Sequence, residues 1–397
     1  MNNKDLNYEF GNPGLVGQLK ARTQLEKVLK GDRLSHAYLF TGPTGVGKKA
    51  LALAFAEMIQ GVSNLTKLEN PTSRKSSWFH HPDIHFFFPM PREFNHKEFM
   101  GRKELLHQDP YDIIDFGLRP SITGTDLGNK QAFYSIEYYR EHIRSSAFLK
   151  PNEGNRTIII LTEVEKMRVE MSNAFLKLLE EPNDRVMFIM TTNQVELLLP
   201  TIISRCQIIH CNPLTHSEIE NGLIQGNNLS KEDASYLARV SGGNYSITRF
   251  YNLEELKKNR NFVVEFLRAS FTSDAIKLAA YSDQFNREYN TQGQLAVLSM
   301  IEVFLRDVHV FSQTGTSNFI TNADQFDVIQ KFHKAQPHAR IGDMLKEIDE
   351  IRISIRQNVN SRLSLIVLAN RFYLLMRGHD VLHPLSEPWT RLPSVVI

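Results

Sequence analysis

Between residues 36 and 60 the chain reads His36-Ala37-Tyr38-Leu39-Phe40-Thr41, then Gly42-Pro43-Thr44-Gly45-Val46-Gly47-Lys48-Lys49, then an Ala- and Leu-rich run to Gln60. The first run is a buried strand and the last is built from strong helix formers. A glycine-rich turn between them restricts the fold to an α/β class and matches a phosphate-cradling loop. Glycines are required because backbone N–H groups must close around phosphate oxygens in conformations that side chains block. The lysine adds a point charge, and the following helix offers its positive end. The pattern holds at Gly42, Gly47 and Lys48 and departs at Lys49, where Ser or Thr is expected. A plain glycine-rich strand-to-helix turn is the alternative.

Around this unit, apolar runs at Ile84 to Phe88, Thr157 to Leu161, Val186 to Thr191 and Ile202 to His210 alternate with helical stretches such as Glu137 to Ser146 and Met171 to Glu180. Strands separated by helices predict a parallel sheet covered on both faces. Residues 61–80 and about 90–135 are polar, hold Pro and Gly, and read as insertions or long surface loops. After Pro213 the β signal fades. Thr215 to Leu223, Lys231 to Val240 and Tyr245 to Tyr251 predict three short helices around Ser241-Gly242-Gly243-Asn244. From 253 to roughly Arg377 the pattern is helical, most clearly over Met344 to Met376, where Ile348, Ile351, Ile355, Leu363, Ile366 and Ala369 fall at helical spacings. The expected domains are 1–212, 213–252 and 253–397.

Composition narrows the function classes. Forty-six basic residues against 44 acidic ones leave a formal charge of +2, which excludes a polycation binding through bulk charge. Two cysteines, Cys206 and Cys211, exclude a disulfide-stapled scaffold and any four-thiolate zinc site, and they read as buried structural thiols in a reducing compartment. The amino terminus shows no apolar signal region, and Leu363 to Met376 is too short and too interrupted to span a bilayer. A soluble, cytoplasmic protein is expected. His80-His81-Pro82-Asp83 reads as ordinary chain rather than a metal site. Arg74-Lys75 and Arg102-Lys103 read as solvated charges, with DNA contact as the alternative.

The departure at Lys49 has a counterpart. In phosphate-loop enzymes a Ser or Thr oxygen and a strand-end Asp hold magnesium. Here Lys49 puts a cation at the first position, and the strand ending Ile160-Leu161-Thr162-Glu163 puts Thr162 at the second. Glu163 survives where a water-activating base sits, with no positioned metal to work on. Taken alone, Arg205 in Ser204-Arg205-Cys206 reads as a solvated or salt-bridged residue.

In order along the chain, Val16-Gly17-Gln18, Leu34-Ser35-His36-Ala37-Tyr38-Leu39-Phe40, the glycine loop, His81-Pro82-Asp83, Asn173 to Pro182 with its Leu-Leu-Glu-Glu-Pro ending, Thr191-Thr192-Asn193, Ser204-Arg205-Cys206 and, more faintly, Asn358 to Leu363 resemble bacterial clamp-loader subunits of the AAA+ family. That group holds the gamma/tau and delta-prime subunits of DNA polymerase III. The resemblance implies an AAA+ P-loop core, a three-helix lid and an all-α collar. It implies ATP or ADP along Gly42, Pro43, Thr44, Gly45, Val46, Gly47, Lys48 and Lys49, and sensor-like Thr192 and Asn193. It also implies that Arg205 is an arginine finger reaching a neighbouring subunit's nucleotide. The implied partners are gamma/tau and delta subunits in a hetero-pentamer, the sliding clamp and primed DNA.

The family's four-cysteine zinc module has no counterpart in 61–80, and its lid arginine aligns near Ser246, with Arg249 three residues too late. Weakened catalysis beside an intact Ser-Arg-Cys resembles the delta-prime branch, a stator whose Glu163 is a remnant base and whose protein ligands for magnesium are degraded. An active gamma/tau-type ATPase and a nucleotide-sensing DNA-binding module outside replication are the alternatives.

Overall fold

The computed structural model describes residues 8–9, 15–31, 34–92, 95–117, 119, 121–122, 131–227, 229–250, 253–289, 291–316, 320–322, 325–357 and 359–381. The reading of the amino-terminal seven residues, Tyr251 at the end of the third short helix, and Asn358 lie outside these. The chain divides into two compact units, Met1–Phe250 and Tyr251–Ile397.

In the first unit, strands β2 (Ala37–Thr41), β4 (Ile84–Phe87), β5 (Thr157–Leu161), β6 (Val186–Thr192) and β7 (Gln207–His210) form one sheet in the order β4-β5-β6-β2-β7. Every pairing in it is parallel. β2, β5 and β6 are buried along their whole length, which is why they read as continuous apolar runs rather than alternating ones. Thr41 pairs with Thr192, and Leu161 with Met190. The loops after β2, β5 and β6 therefore leave the same edge of the sheet, the carboxyl edge at which open α/β sheets bind ligands. A separate antiparallel pair, β1 (Tyr8–Glu9) with β3 (Lys67–Leu68), stands apart from it.

Several expectations need correction. The Ile202–His210 run is not one strand: Pro200–Ile203 is a helical turn, and only Gln207–His210 joins the sheet. Pro200 sits in the first turn, where its missing N–H costs nothing. Over its described residues the 90–135 stretch is not a surface loop. It holds the helix His96–Gln108, N-capped by Asn95, and buries Tyr111, Ile114, Phe116 and Tyr134. The 61–80 stretch is likewise packed in. Glu57, buried in the helix Lys48–Gln60, accepts hydrogen bonds from Asn64 Nδ2 (2.9 Å), Leu65 N (2.9 Å) and Trp78 N (2.7 Å), so one buried carboxylate pins both ends of the segment.

Arg102 is not a solvated charge either. Its side chain is fully buried, with Nε and Nη2 on Glu98 Oε1 (3.0 and 2.7 Å), Nη1 on Ile114 O (2.7 Å) and Nη2 on Arg119 O (2.6 Å), and its guanidinium stacks 3.6 Å from the Phe116 ring centre. Glu98 lies one helical turn earlier and meets the fork directly. Lys103 lies over the rings of Phe99, Phe79 and Trp78, whereas Arg74 is exposed and Lys75 pairs with Glu153 at 3.1 Å.

After β7 come the helices His216–Asn227 and Lys231–Val240 and the 3₁₀ turn Ser246–Phe250. The second unit carries the helices Leu253–Thr272, Ala275–Glu288, Thr291–Thr314, Phe326–Ala335, Ile341–Arg356 and Ser361–Met376 around one apolar core. The Met344–Met376 pattern is interrupted before Asn360, whose side chain caps a new helix by accepting from Arg362 N and Leu363 N. That restart changes the facing register. Leu363 is 59% exposed while Leu365, Leu368 and Phe372 turn inward, each worth about 1.5–3 kcal/mol by burial. Among the described residues no helix is long and apolar enough to cross a membrane.

Candidate functional site

The glycine loop wraps a cavity of about 260 Å³ at the carboxyl edge of the sheet. Of the loop, Thr44, Gly45, Gly47, Lys48 and Lys49 line it, together with Glu163 from the end of β5 and Asn193 from the end of β6. Gly42, Pro43 and Val46 are not among the lining residues. Thr192 does not reach it: it is buried, and its Oγ1 accepts from Gln194 N at 3.1 Å. Its neighbour Thr191 lines the cavity instead and accepts from Glu163 N at 3.2 Å. Gln18 ties the loop to the sheet, donating to Val46 O (3.0 Å) and Asn212 O (2.7 Å) and accepting from Asn212 N (3.1 Å).

Two neighbours close on the loop so tightly that only glycine fits. A Cβ at Gly45 would fall 1.5 Å from Asn244 Oδ1, and one at Gly47 would fall 2.8 Å from the Tyr111 ring; both glycines have positive φ, 75° and 96°. Tyr111 is further held by Val16 N, which donates to its hydroxyl at 2.6 Å, and by an edge contact with Tyr245 at 4.8 Å between ring centres. Ser246, at the place the resemblance gives to an arginine, lines the cavity and donates its N–H to Gly45 O at 3.2 Å. The side chain of Arg249 lies outside the described residues.

The charges inside are mutually engaged. Lys48 Nζ donates to Gly42 O at 2.7 Å and also reaches Pro43 O, and burial pulls its pKa down to about 8. Lys49 donates to Asp112 O at 3.0 Å, and burial lowers its pKa too. Lys166 bridges Glu163 (2.6 Å) and Asp115. Burial alone would depress the Lys166 ammonium, yet the two carboxylates outweigh it and raise it above an ordinary lysine. Burial pushes Glu163 up. Asn193 is held by Glu165 Oε1, which accepts from its N (3.2 Å) and its Nδ2 (2.9 Å).

Magnesium does not fit this donor set. The position after Lys48 is an ammonium, Glu163 is already paired to a lysine, and Thr162 offers a neutral hydroxyl that is buried and, among the described residues, finds no partner. Among the described residues no group of three or more His, Cys, Asp or Glu is arranged for a metal ion. His80 Nδ1 pairs with Ser77 Oγ at 3.0 Å, and His81 Nδ1 accepts from Asp83 N at 3.1 Å. Asp83 serves the fold instead. Burial opposes its charge, but Asn152 N, Gly154 N and Glu153 N (2.6, 2.6 and 2.9 Å) hold its pKa below the ordinary carboxylate value.

Arg205 is not among the residues lining this cavity. It follows the Pro200–Ile203 turn, with Nη1 on Thr201 O (2.9 Å) and Nη2 on Glu180 Oε1 (2.8 Å), its side chain about a third exposed. Cys206 and Cys211 are both pushed up to about 12 by burial and remain thiols.

Tyr111, Asp115 and Asn244 had no sequence signal as site residues, the first two because their segment reads as loop. Lys166 had one, since it lies three residues past Glu163 in a turn that begins at a strand end.

Comparison with known proteins gives a family. The family described as DNA polymerase III, delta subunit, matches residues 17–215, and DNA polymerase III, delta subunit, C terminal, matches 254–372. The chain is 24% identical over 340 residues to DNA polymerase III subunit delta′ of Bacillus subtilis, covering 83% of this chain and 88% of that protein. It is 28% identical over 209 residues to DNA polymerase III subunit tau/gamma of Haemophilus influenzae, covering 53% of this chain and 25% of that protein. A solved gamma subunit-related protein of DNA polymerase III from Thermotoga maritima aligns over 89% of this chain and all of that one, at 14% identity and a TM-score of 0.46.

Proposed function

The chain belongs to the DNA polymerase III delta-subunit family, and on that premise we propose that it is the delta-prime-like member of a clamp loader, working with gamma/tau and delta subunits to place a sliding clamp on primed DNA in the cytoplasm. Nearly end-to-end similarity to a delta′ subunit, against similarity to only about a quarter of the tau/gamma relative, supports that branch. Within the ring the chain is a stator that binds nucleotide without turning it over.

The observation that carries this reading is the pairing of Glu163 with Lys166. A general base must hold a free lone pair toward water, and here the carboxylate is neutralised by an ammonium 2.6 Å away. Asn193 has its backbone N–H and one side-chain N–H committed to Glu165. The loop residues keep the means to hold phosphate, through Lys48 and the backbone of Gly45 and Gly47. ATP and ADP are both acceptable ligands on these grounds.

Arg205 supplies the other half. A guanidinium is permanently charged and forked, suited to the charge spread over a transferring phosphoryl group. To reach a neighbour's nucleotide it must exchange Glu180 for phosphate. A partly exposed pair of this kind contributes about 0–1 kcal/mol, so the exchange costs little.

The test uses the purified chain and the assembled complex. The chain alone turns over ATP at background, and Lys48→Ala leaves that background unchanged. Robust turnover abolished by Lys48→Ala would instead establish a gamma/tau-type motor. Failure to assemble with clamp-loader subunits would remove the stator role altogether.

A further inference from the structure

The cation that a phosphate loop ordinarily carries has a substitute inside this chain. Lys166 lies between two carboxylates from distant segments, Asp115 from the stretch that follows the helix His96–Gln108 and Glu163 from the end of β5. Two carboxylates at the mouth of a phosphate loop are hard oxygen donors of the kind that take a divalent cation. Here an ammonium already fills the space between them. The reach is set locally: Glu163 takes a left-handed backbone conformation, φ 53°, and starts the 3₁₀ turn Val164–Lys166, which returns the lysine toward the carboxylate three residues back.

From this network we infer that the Lys166 ammonium takes the place of magnesium, so that the cavity binds a nucleoside polyphosphate as its metal-free anion. The inference rests on reading the cavity as a nucleotide site and adds the form in which the nucleotide enters. Three ammoniums line the space, Lys48, Lys49 and Lys166, against the two carboxylates of Glu163 and Asp115, leaving an excess of one positive charge to meet phosphate. A divalent cation entering with the nucleotide must either displace Lys166 from both carboxylates or sit among three like charges. Tyr111, Ile113 and Ile247 give the same cavity an apolar side for a base.

The experiment titrates the full-length chain with a fluorescent ADP analogue in excess EDTA and in excess magnesium, reading affinity rather than turnover. The expected result is equal affinity in the two buffers. Lys166→Ala is expected to weaken binding in EDTA by about tenfold or more, the effect of losing one charged hydrogen-bonding partner. Magnesium is expected to restore part of it, because no ammonium then occupies the space between Glu163 and Asp115. Lys166→Arg is expected to keep binding metal-independent, and thermal melting of each variant checks the fold. Binding that requires magnesium in the unaltered chain, or a Lys166→Ala protein that binds equally well in EDTA, overturns the inference and leaves the nucleotide reading in place. Binding in neither buffer overturns the nucleotide reading itself and this inference with it.

Discussion

The cavity edge and the Ser204-Arg205-Cys206 turn hold their charges in opposite ways. At the cavity, Lys48 and Lys49 are held by backbone carbonyls, and Lys166, itself a third exposed, is held between two largely buried carboxylates, Glu163 and Asp115. The segment that carries Asp115 is anchored by fully buried Arg102. At the turn, one guanidinium stands about a third exposed beside an exposed glutamate. Enclosed charge is expensive to leave unpaired and so stays where it is. A partly solvated pair exchanges partners at small cost. The first arrangement suits a site that holds a ligand without acting on it, and the second suits a residue that must change partners.

The largest effect should come from the exposed side of this contrast. Arg205→Ala in an otherwise complete complex leaves assembly intact and sharply lowers clamp- and DNA-stimulated hydrolysis. Fingers supplied in trans are worth about 10³- to 10⁵-fold in GTPases, and a loader with other intact sites will show less overall. Arg205→Lys rescues poorly because it keeps the charge without the fork. Mass and ATPase rate measured together settle it, and unchanged hydrolysis in a correctly assembled ring would reduce Arg205 to a surface residue.

Next in size is the anchor of the enclosed side. Arg102→Ala strips Glu98 of its charged partner and leaves the carbonyls of Ile114 and Arg119 without their donor, a loss of about 3–5 kcal/mol, read by chemical denaturation. A loss below about 1 kcal/mol, the ordinary worth of a surface pair, would mean that the contrast in burial has no energetic content.

The pH response sharpens the same point. Lys48, drawn down to about 8 by burial and faced by Cys211, Glu165, Glu163 and Lys49, is charged below that pH and neutral above it. Cys211 stays a thiol over this range, pushed up to about 12, so it adds no opposing charge. Nucleotide affinity should therefore be level below pH 8 and fall by up to about tenfold per pH unit above it. A profile flat to pH 10 would remove Lys48 from phosphate binding.

The smallest effect belongs to Glu180. Glu180→Gln releases Arg205 from its resting pair and should raise the neighbour's rate by no more than about fivefold, the equivalent of the roughly 1 kcal/mol such a pair contributes. A clear fall in rate would show instead that the finger needs Glu180 to be aimed.

Much of this was legible before any coordinates. The strand, glycine loop and helix over 37–60 are local: an apolar run, three glycines and an Ala-rich stretch each carry their conformation with them. Ile202 to His210 failed because an apolar run of that length does not distinguish a strand from a buried helical turn, and Leu363 failed because the cap at Asn360 restarts the helix in a new register. The 90–135 stretch failed for a different reason. One of its charged residues is inside, and Arg102 is buried only because Glu98, two carbonyls and a phenylalanine ring converge on it.

By itself, then, the sequence determined the α/β core, the helical units after it, and the residue types, Lys49 and Thr162, at the two positions where phosphate-loop enzymes hold magnesium. Those features follow from periodicities of 2 and 3.6 and from single positions within a motif. Tertiary structure alone decided that Tyr111 covers Gly47, that Asp115 and Glu163 share Lys166, and that Arg205 rests on Glu180. Each of those pairs joins segments that only the sheet's topology brings within reach, except Glu163 and Lys166, whose turn is local but whose burial is not. An ion pair's strength depends on the dielectric around it, and that is a property of the packed molecule rather than of any stretch of chain.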